Sequence, residues 1–152
     1  MHCIAAVALL FAVQAVAVPA SADEFGTKAE AVALVKRAIA RVAEVGVDKA
    51  KLEFMDHHGS FVDRDLYITL VDKAGIRVAH GQNAKLVGKS LYESVDVKDK
   101  EYGKQVEQIV EGPGQGWVSF MYKDPITGKI LPKEMYVERA GDYSYMTGVY
   151  LR

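Results

Sequence analysis

The sequence predicts an α+β fold: an antiparallel sheet of about five strands, with one long helix against one face and loops and short helices over the other. Three observations carry that reading. A capped segment repeats apolar residues at three- and four-residue spacing, as a helix requires. Five later runs are rich in β-branched and aromatic residues. The links between those runs are mostly short and turn-rich, whereas parallel strands need crossover connections of a dozen or more residues.

The elements follow in order. Thr27-Lys28-Ala29-Glu30 reads as a capping box, in which a hydroxyl and a carboxylate satisfy free amides at a helix start. Val32, Val35, Ile39 and Val42, flanked by Ala31, Leu34 and Ala38, then form one stripe until Gly46 stops the helix. A shorter helix is predicted from Asp48 to Gly59, burying Ala50, Leu52 and Phe54 or Met55. Leu66–Val71 and Ile76–His80, joined by Asp72-Lys73-Ala74-Gly75, read as a hairpin. A loop follows over Gly81–Lys89, and a helix over Asp99–Val110 with Tyr102, Val106 and Ile109 on one side. Three more strands are predicted at Gly116–Tyr122, Ile130–Glu138 and Tyr143–Tyr150, separated by turn-rich segments. Pro132 lacks an amide proton and belongs at a strand start, an edge or a bulge.

With 152 residues the chain fits one domain. Its start is apolar without interruption from Ile4 to Val13, and Ala20-Ser21-Ala22 offers the small-x-small pattern a signal peptidase reads. We therefore expect residues 1–22 to be a cleaved signal peptide and residues 23–152 to be a single domain in the periplasm or outside the cell. An anchor left uncleaved is the alternative, and no Lys or Arg precedes the apolar run. The sole cysteine, Cys3, lies inside the leader, so disulfide and thiolate chemistry are not expected of the mature domain. Lys plus Arg number 19 and Asp plus Glu 20, interspersed without long runs of one sign, which argues against a nucleic-acid partner.

The order of elements and six local motifs resemble a single Cache domain, a PAS-like extracytoplasmic sensor module. The motifs are Asp65-Leu66-Tyr67-Ile68; Gly75-Ile76-Arg77-Val78-Ala79-His80; Leu86-Val87-Gly88-Lys89-Ser90-Leu91; Gly116-Trp117-Val118-Ser119-Phe120; Pro125-Ile126-Thr127-Gly128 followed by Lys133-Glu134-Met135-Tyr136-Val137; and Thr147-Gly148-Val149-Tyr150. The resemblance implies binding of a small metabolite, often a short carboxylate, between the sheet and its cover, here the segment between His80 and Gly116. Such modules usually sit in chemoreceptors, histidine kinases or cyclases. Since the sequence stops at Arg152, soon after the last strand, the expected partners are a small ligand and a separate membrane-bound receptor, kinase or transporter, with a homodimer through the N-terminal helix also open to it. The sequence departs from the family at His80-Gly81, where His-Pro is common, and at Phe120 and Tyr122, where tyrosine and then tryptophan are commoner.

A carboxylate in a dry pocket needs strong donors. Lys133 shares a strand face with Met135 and Val137 by the period of two, so its stem can follow that face while its ammonium enters the pocket. A solvated edge lysine is the commoner fate, and the resemblance points to the pocket instead. His80 ends a strand where the cover begins, either as a ligand contact that changes charge near neutral pH or as a cap on the loop backbone. Tyr67, Tyr122 and Tyr136 offer hydroxyls, Trp117 and Met121 an apolar wall, and Phe120 a ring without the hydroxyl of a tyrosine. Arg77 is a further cation, placed by alternation on the face opposite His80.

Metal and catalytic readings do less well. Asp56-His57-His58 matches no zinc or calcium spacing, and Gly112-x-Gly114-x-Gly116 stands after a helix and before a strand, the reverse of a phosphate-cradling order. No metal, cofactor or catalytic residue is therefore assigned. The expected function is an exported small-molecule sensor or carrier domain, and the alternative is a structural or interaction module with an empty pocket.

Overall fold

The computed structural model describes residues 24–152, and the predicted leader with its cleavage site lies outside the described residues. Thr27 opens the first helix as expected: its hydroxyl accepts the Glu30 amide at 3.2 Å, and the Glu30 carboxylate accepts the Thr27 amide at 2.8 Å. This box starts α1 (Lys28–Val45), which buries Ala31, Leu34, Val35 and Ala38 along one stripe. Gly46, at φ 80°, takes a conformation that L side chains avoid and lets the chain turn into α2 (Val47–Phe54). Helix α2 begins at Val47 and ends well before Gly59. It buries Ala50 and Phe54, but Leu52, predicted to be buried, is 63% exposed. Residues two apart on a helix point to opposite sides, so the stripe set by positions 50 and 54 excludes position 52.

A two-stranded ribbon, β1 (Val62–Asp63) and β2 (Leu66–Tyr67), leads into the main sheet. That sheet holds β3 (Thr69–Asp72), β4 (Arg77–His80), β5 (Gln115–Lys123), β6 (Ile130–Ala140) and β7 (Tyr143–Tyr150), all antiparallel, in the order β4-β3-β7-β6-β5. The predicted run Leu66–Val71 is thus divided between β2 and β3. Pro132 sits in β6 opposite Met121, and its carbonyl accepts the Leu151 amide at 2.8 Å. The β6–β7 ladder runs from Lys133 to Ala140, so the missing amide proton lies past its last rung.

Alternation gives the sheet two apolar faces. Tyr136, Tyr145 and Val149 pack with Leu34, Val35 and Phe54 on the α1 side. Val118, Met135, Val137 and Met146 pack on the other side against Tyr102, Val106 and Val110 of α3 (Tyr102–Glu111). The segment from Gly81 to Glu101, which includes a short 3-10 turn at Ala84–Leu86, crosses that second face as a strap. It is fastened at both sheet edges. At the β4 edge Gly88 and Arg77 exchange backbone bonds with Arg77 and Lys89 at 2.8 and 3.1 Å, while Leu91 donates to Gly75 at 2.7 Å. At the β5 edge the Met121 amide donates to Asp96 at 2.8 Å, and the Lys100 ammonium donates to the Ser119 carbonyl. Both edges are thereby covered, as exposed edges must be.

Removing the Thr27 hydroxyl leaves a free amide and releases the Glu30 carboxylate. Thr27→Ala is expected to lower stability by about 1 kcal/mol and the melting temperature by roughly 2–6 °C, measured by calorimetry.

Candidate functional site

The strapped face carries two buried cations. The period of two sends Lys133 to that face with Met135 and Val137, and across the β6–β7 ladder the position beside its stem is Gly148. A Cβ at Gly148 would stand 2.9 Å from Lys133 Cε and 2.6 Å from the Glu134 carbonyl oxygen, so the glycine leaves the path of the stem open. Lys133 is 3% exposed. Its Nζ donates to the Tyr67 hydroxyl at 2.9 Å and to the Tyr150 hydroxyl at 3.3 Å, and Tyr150 in turn donates to the Lys123 carbonyl at 2.8 Å. The same Nζ lies 4.4, 4.8 and 5.2 Å from the ring centroids of Tyr67, Tyr150 and Tyr122. Burial draws its pKa down from 10.5 to about 7, against the upward pull of Asp65 and Asp124.

Arg77 is the second cation, and here alternation fails. Leu70 pairs with Ala79 while Val71 pairs with Arg77, so Val78 is an extra residue in a β-bulge. The bulge turns Arg77 to the same face as His80, and both line one chamber with Lys133. Arg77 is 5% exposed, and its guanidinium donates to the Ser90 carbonyl at 2.9 Å and the Ser94 hydroxyl at 2.8 Å. These partners are neutral oxygens, and no Asp or Glu is among the residues lining the chamber.

Of the two roles predicted for it, His80 takes that of the loop cap. Its Nδ1 accepts the amides of Asn83 at 3.0 Å and Gln82 at 3.3 Å, capping the loop, while its ring tilts against Tyr67 at 5.1 Å. A neutral ring that accepts at Nδ1 carries its proton on Nε2, leaving that atom as a donor. The expected change of charge near neutral pH is corrected, however. Burial, then Lys133 and Arg77, lower the His80 pKa from 6.5 to about 3, so the ring stays uncharged.

The free volume of the chamber is about 20 Å³, roughly one water. A vestibule of about 320 Å³, walled by Gln82, Asn83, Lys123 and Pro125, shares Tyr67, His80 and Tyr122 with it. Those three side chains form the waist between the two spaces. Phe120 lines the chamber and stacks on Tyr102, with ring centroids 3.9 Å apart and planes within 5°.

Of the predicted site residues, Lys133, His80, Tyr67, Tyr122 and Phe120 therefore come together. Trp117, Met121 and Tyr136 do not. On β5, Phe120 and Tyr122 face the strap, so Trp117 and Met121 project to the other side. Trp117 lies 5.3 Å from Tyr136 and 5.1 Å from the Lys28 ammonium. Tyr136, between Met135 and Val137, joins the α1 core and donates its hydroxyl to Glu138 at 2.9 Å. Sequence reasoning named Arg77 as a further cation but put it on the wrong face, and it missed Tyr102 and Tyr150. Tyr150 was within reach, because β7 read antiparallel to β6 sets it across from Lys133. Among the described residues no group of three or more His, Cys, Asp or Glu is placed to hold a metal ion, and no helix is long and apolar enough to cross a membrane.

Between pH 7 and 10.5 the unfolded chain holds a proton on Lys133 that the folded chain has released, so stability rises with pH across that window. Lys133→Met keeps the stem and removes the titration. Its melting temperature is expected to exceed that of the parent chain at pH 7, and the difference should shrink by pH 10. Parallel melting curves of the two proteins that keep a constant offset would contradict the assignment.

The fold has close counterparts among solved structures. A methyl-accepting chemotaxis protein from Vibrio parahaemolyticus RIMD 2210633 superposes with a TM-score of 0.69 at 22% identity, covering 81% of this chain and 87% of that one. The periplasmic sensor domain of a chemotaxis protein gives 0.62 at 24% identity, over 82% of this chain and 90% of that one. A Cache chemosensory domain described for carboxylic acid recognition gives 0.64 at 19% identity, over 82% and 88%. No curated relative matches the chain in sequence. The family described as Single Cache domain 2 matches residues 20–151, which takes in every strand and helix above. The chain belongs to the single Cache domain family.

Proposed function

We propose that the domain is a sensor module that binds a small carboxylate in the chamber under the strap. One observation carries this reading: Lys133 and Arg77 are both buried at a chamber whose lining holds no acidic side chain. A buried cation without a counter-ion is disfavoured, and an anion that enters relieves two such cations at once. The remaining donors suit a carboxylate. Lys133 has one N–H beyond those given to Tyr67 and Tyr150, His80 offers Nε2, and the Tyr122 hydroxyl lies at the waist. The chamber has room for about one water, so only the carboxylate head of a short ligand would enter it, by displacing that water and parting the waist residues, while the carbon chain lies in the vestibule. Carboxylic acid recognition by one structural counterpart agrees with this chemistry.

The same family and counterparts support a place outside the cytoplasm with a membrane-bound receptor or kinase as the signalling partner, and the apolar start followed by Ala20-Ser21-Ala22 is the ground for reading residues 1–22 as leader. Amino-terminal sequencing of the exported protein is expected to begin at Asp23.

Acetate, propionate, pyruvate and lactate, added singly at saturation, are expected to raise the melting temperature by several degrees in at least one case, since a hundredfold excess over Kd adds about 2.7 kcal/mol. Lys133→Ala and Arg77→Ala should each remove that response while the protein remains folded. A response kept in both variants would sink the assigned site. No shift with any short carboxylate would favour a structural module with an unfilled chamber.

A further inference from the structure

Outside the chamber, the strongest unassigned feature is a buried charge cluster at one end of the sheet. Asp65, in the turn between β1 and β2, and Asp124, just after β5, are both wholly buried. Arg152 bridges them, with one guanidinium nitrogen 2.9 Å from Asp65 and another 2.9 Å from Asp124. The guanidinium lies 3.5 Å from the Phe25 ring centroid, and the Gly26 amide donates to Asp65 at 2.7 Å. Asp124 also accepts the Thr127 hydroxyl at 2.7 Å and the Ile126 amide at 3.1 Å, which shapes the turn that walls the vestibule at Lys123 and Pro125.

This clasp touches the chamber through Tyr150 and through its field. The Tyr150 ring has Lys133 Nζ at 4.8 Å and the Arg152 guanidinium at 5.6 Å. Asp65 and Asp124 are the two carboxylates that act on Lys133. The other charged or titratable groups facing Lys133 are Tyr67 on β2, Arg77 and His80 on β4, Tyr102 on α3, Tyr122 on β5 and Tyr150 on β7. None of these is an acid that is ionised near neutral pH, so the two aspartates are the only nearby source of negative charge in that set.

We propose that Arg152 is a positioning residue for the anion chamber: by holding Asp65 and Asp124 it weakens their pull on Lys133, so occupancy of the chamber and strength of the clasp reinforce each other. The proposal rests on the anion-binding reading above. An anion and the two aspartates compete for one cation, and Arg152 occupies the aspartates. By reciprocity, an anion on Lys133 turns the aspartates more fully toward Arg152. Binding would then be felt where Phe25–Gly26 and Leu151–Arg152 meet, outside the chamber itself.

The test uses the full chain with lysines labelled at the ε-carbon, and with acetate as probe. Without acetate, Arg152→Ala should shift the Lys133 titration to higher pH, because two unopposed carboxylates stabilise its charged form, whereas Asp124→Asn should shift it lower. At pH 6, where Lys133 is charged in both proteins, acetate affinity should fall about fivefold or more in Arg152→Ala. The deficit should narrow by pH 8, and Arg152→Lys should restore part of it. A purely structural role would weaken binding equally at every pH and leave the Lys133 titration in place, which would overturn the proposal. If the parent chain binds no short carboxylate, the anion reading fails, and the two Lys133 titrations still decide the role of Arg152.

Discussion

Lys133 and Arg77 reach the same sheet face with no acidic side chain lining the space between them. Moving an ion out of water is opposed by several kcal/mol even after relaxation, so the surroundings have to replace hydration without supplying a full negative charge. They do so with tyrosine hydroxyls and ring faces around Lys133, and with a carbonyl and a hydroxyl at Arg77. These neutral partners steady a cation without cancelling it. A carboxylate in their place would hold the lysine more firmly and leave nothing for an incoming anion.

The strap follows from the same constraint. Water on this face would screen the cations and weaken any anion held there. A loop that only lay across the sheet would expose its own backbone groups, but this one bonds to β4 on one side and to β5 on the other. Helix α3 closes the rest, and Gly103 in its first turn donates to the Ser94 carbonyl at 3.1 Å, where the strap runs into the helix. The strap also joins the chemistry directly, since Ser90 and Ser94 within it are the partners of Arg77.

Much of the fold was legible because it is written in local signals. The Thr27–Glu30 box, the Gly46 stop and the turn-rich links each act within a few residues, and the structure bears them out. The chamber was legible only in part. Lys133 is found by alternation along β6, and the same alternation, applied to β5 and to position 136, would have excluded Trp117, Met121 and Tyr136. Arg77 is different in kind: one extra residue at Val78 reverses its face, and the sequence carries no clear mark of that bulge. The charge state of His80 depends on its burial near Lys133 and Arg77, neither of which is a neighbour in sequence. The Asp65–Arg152–Asp124 bridge brings together positions far apart in the chain, and only the closed sheet makes it.

The two faces of the sheet divide the physical work. The α1 face is apolar and closely packed, with Ala31, Val35, Ala38, Phe54 and Ile68 wholly buried against one another. The strapped face accepts buried charge and a chamber, both of which oppose stability. A shift of one residue in the β6–β7 register would exchange the faces, driving Lys133 into the α1 core and Tyr136 under the strap. Gly148 guards the native register in a simple way. It pairs with Met135, on a rung not adjacent to that of Lys133 and Tyr150, and a Cβ there would meet Lys133 Cε at 2.9 Å, so the native alignment places a residue without a side chain beside the lysine stem. Packing on one face thus fixes where the charge on the other must lie.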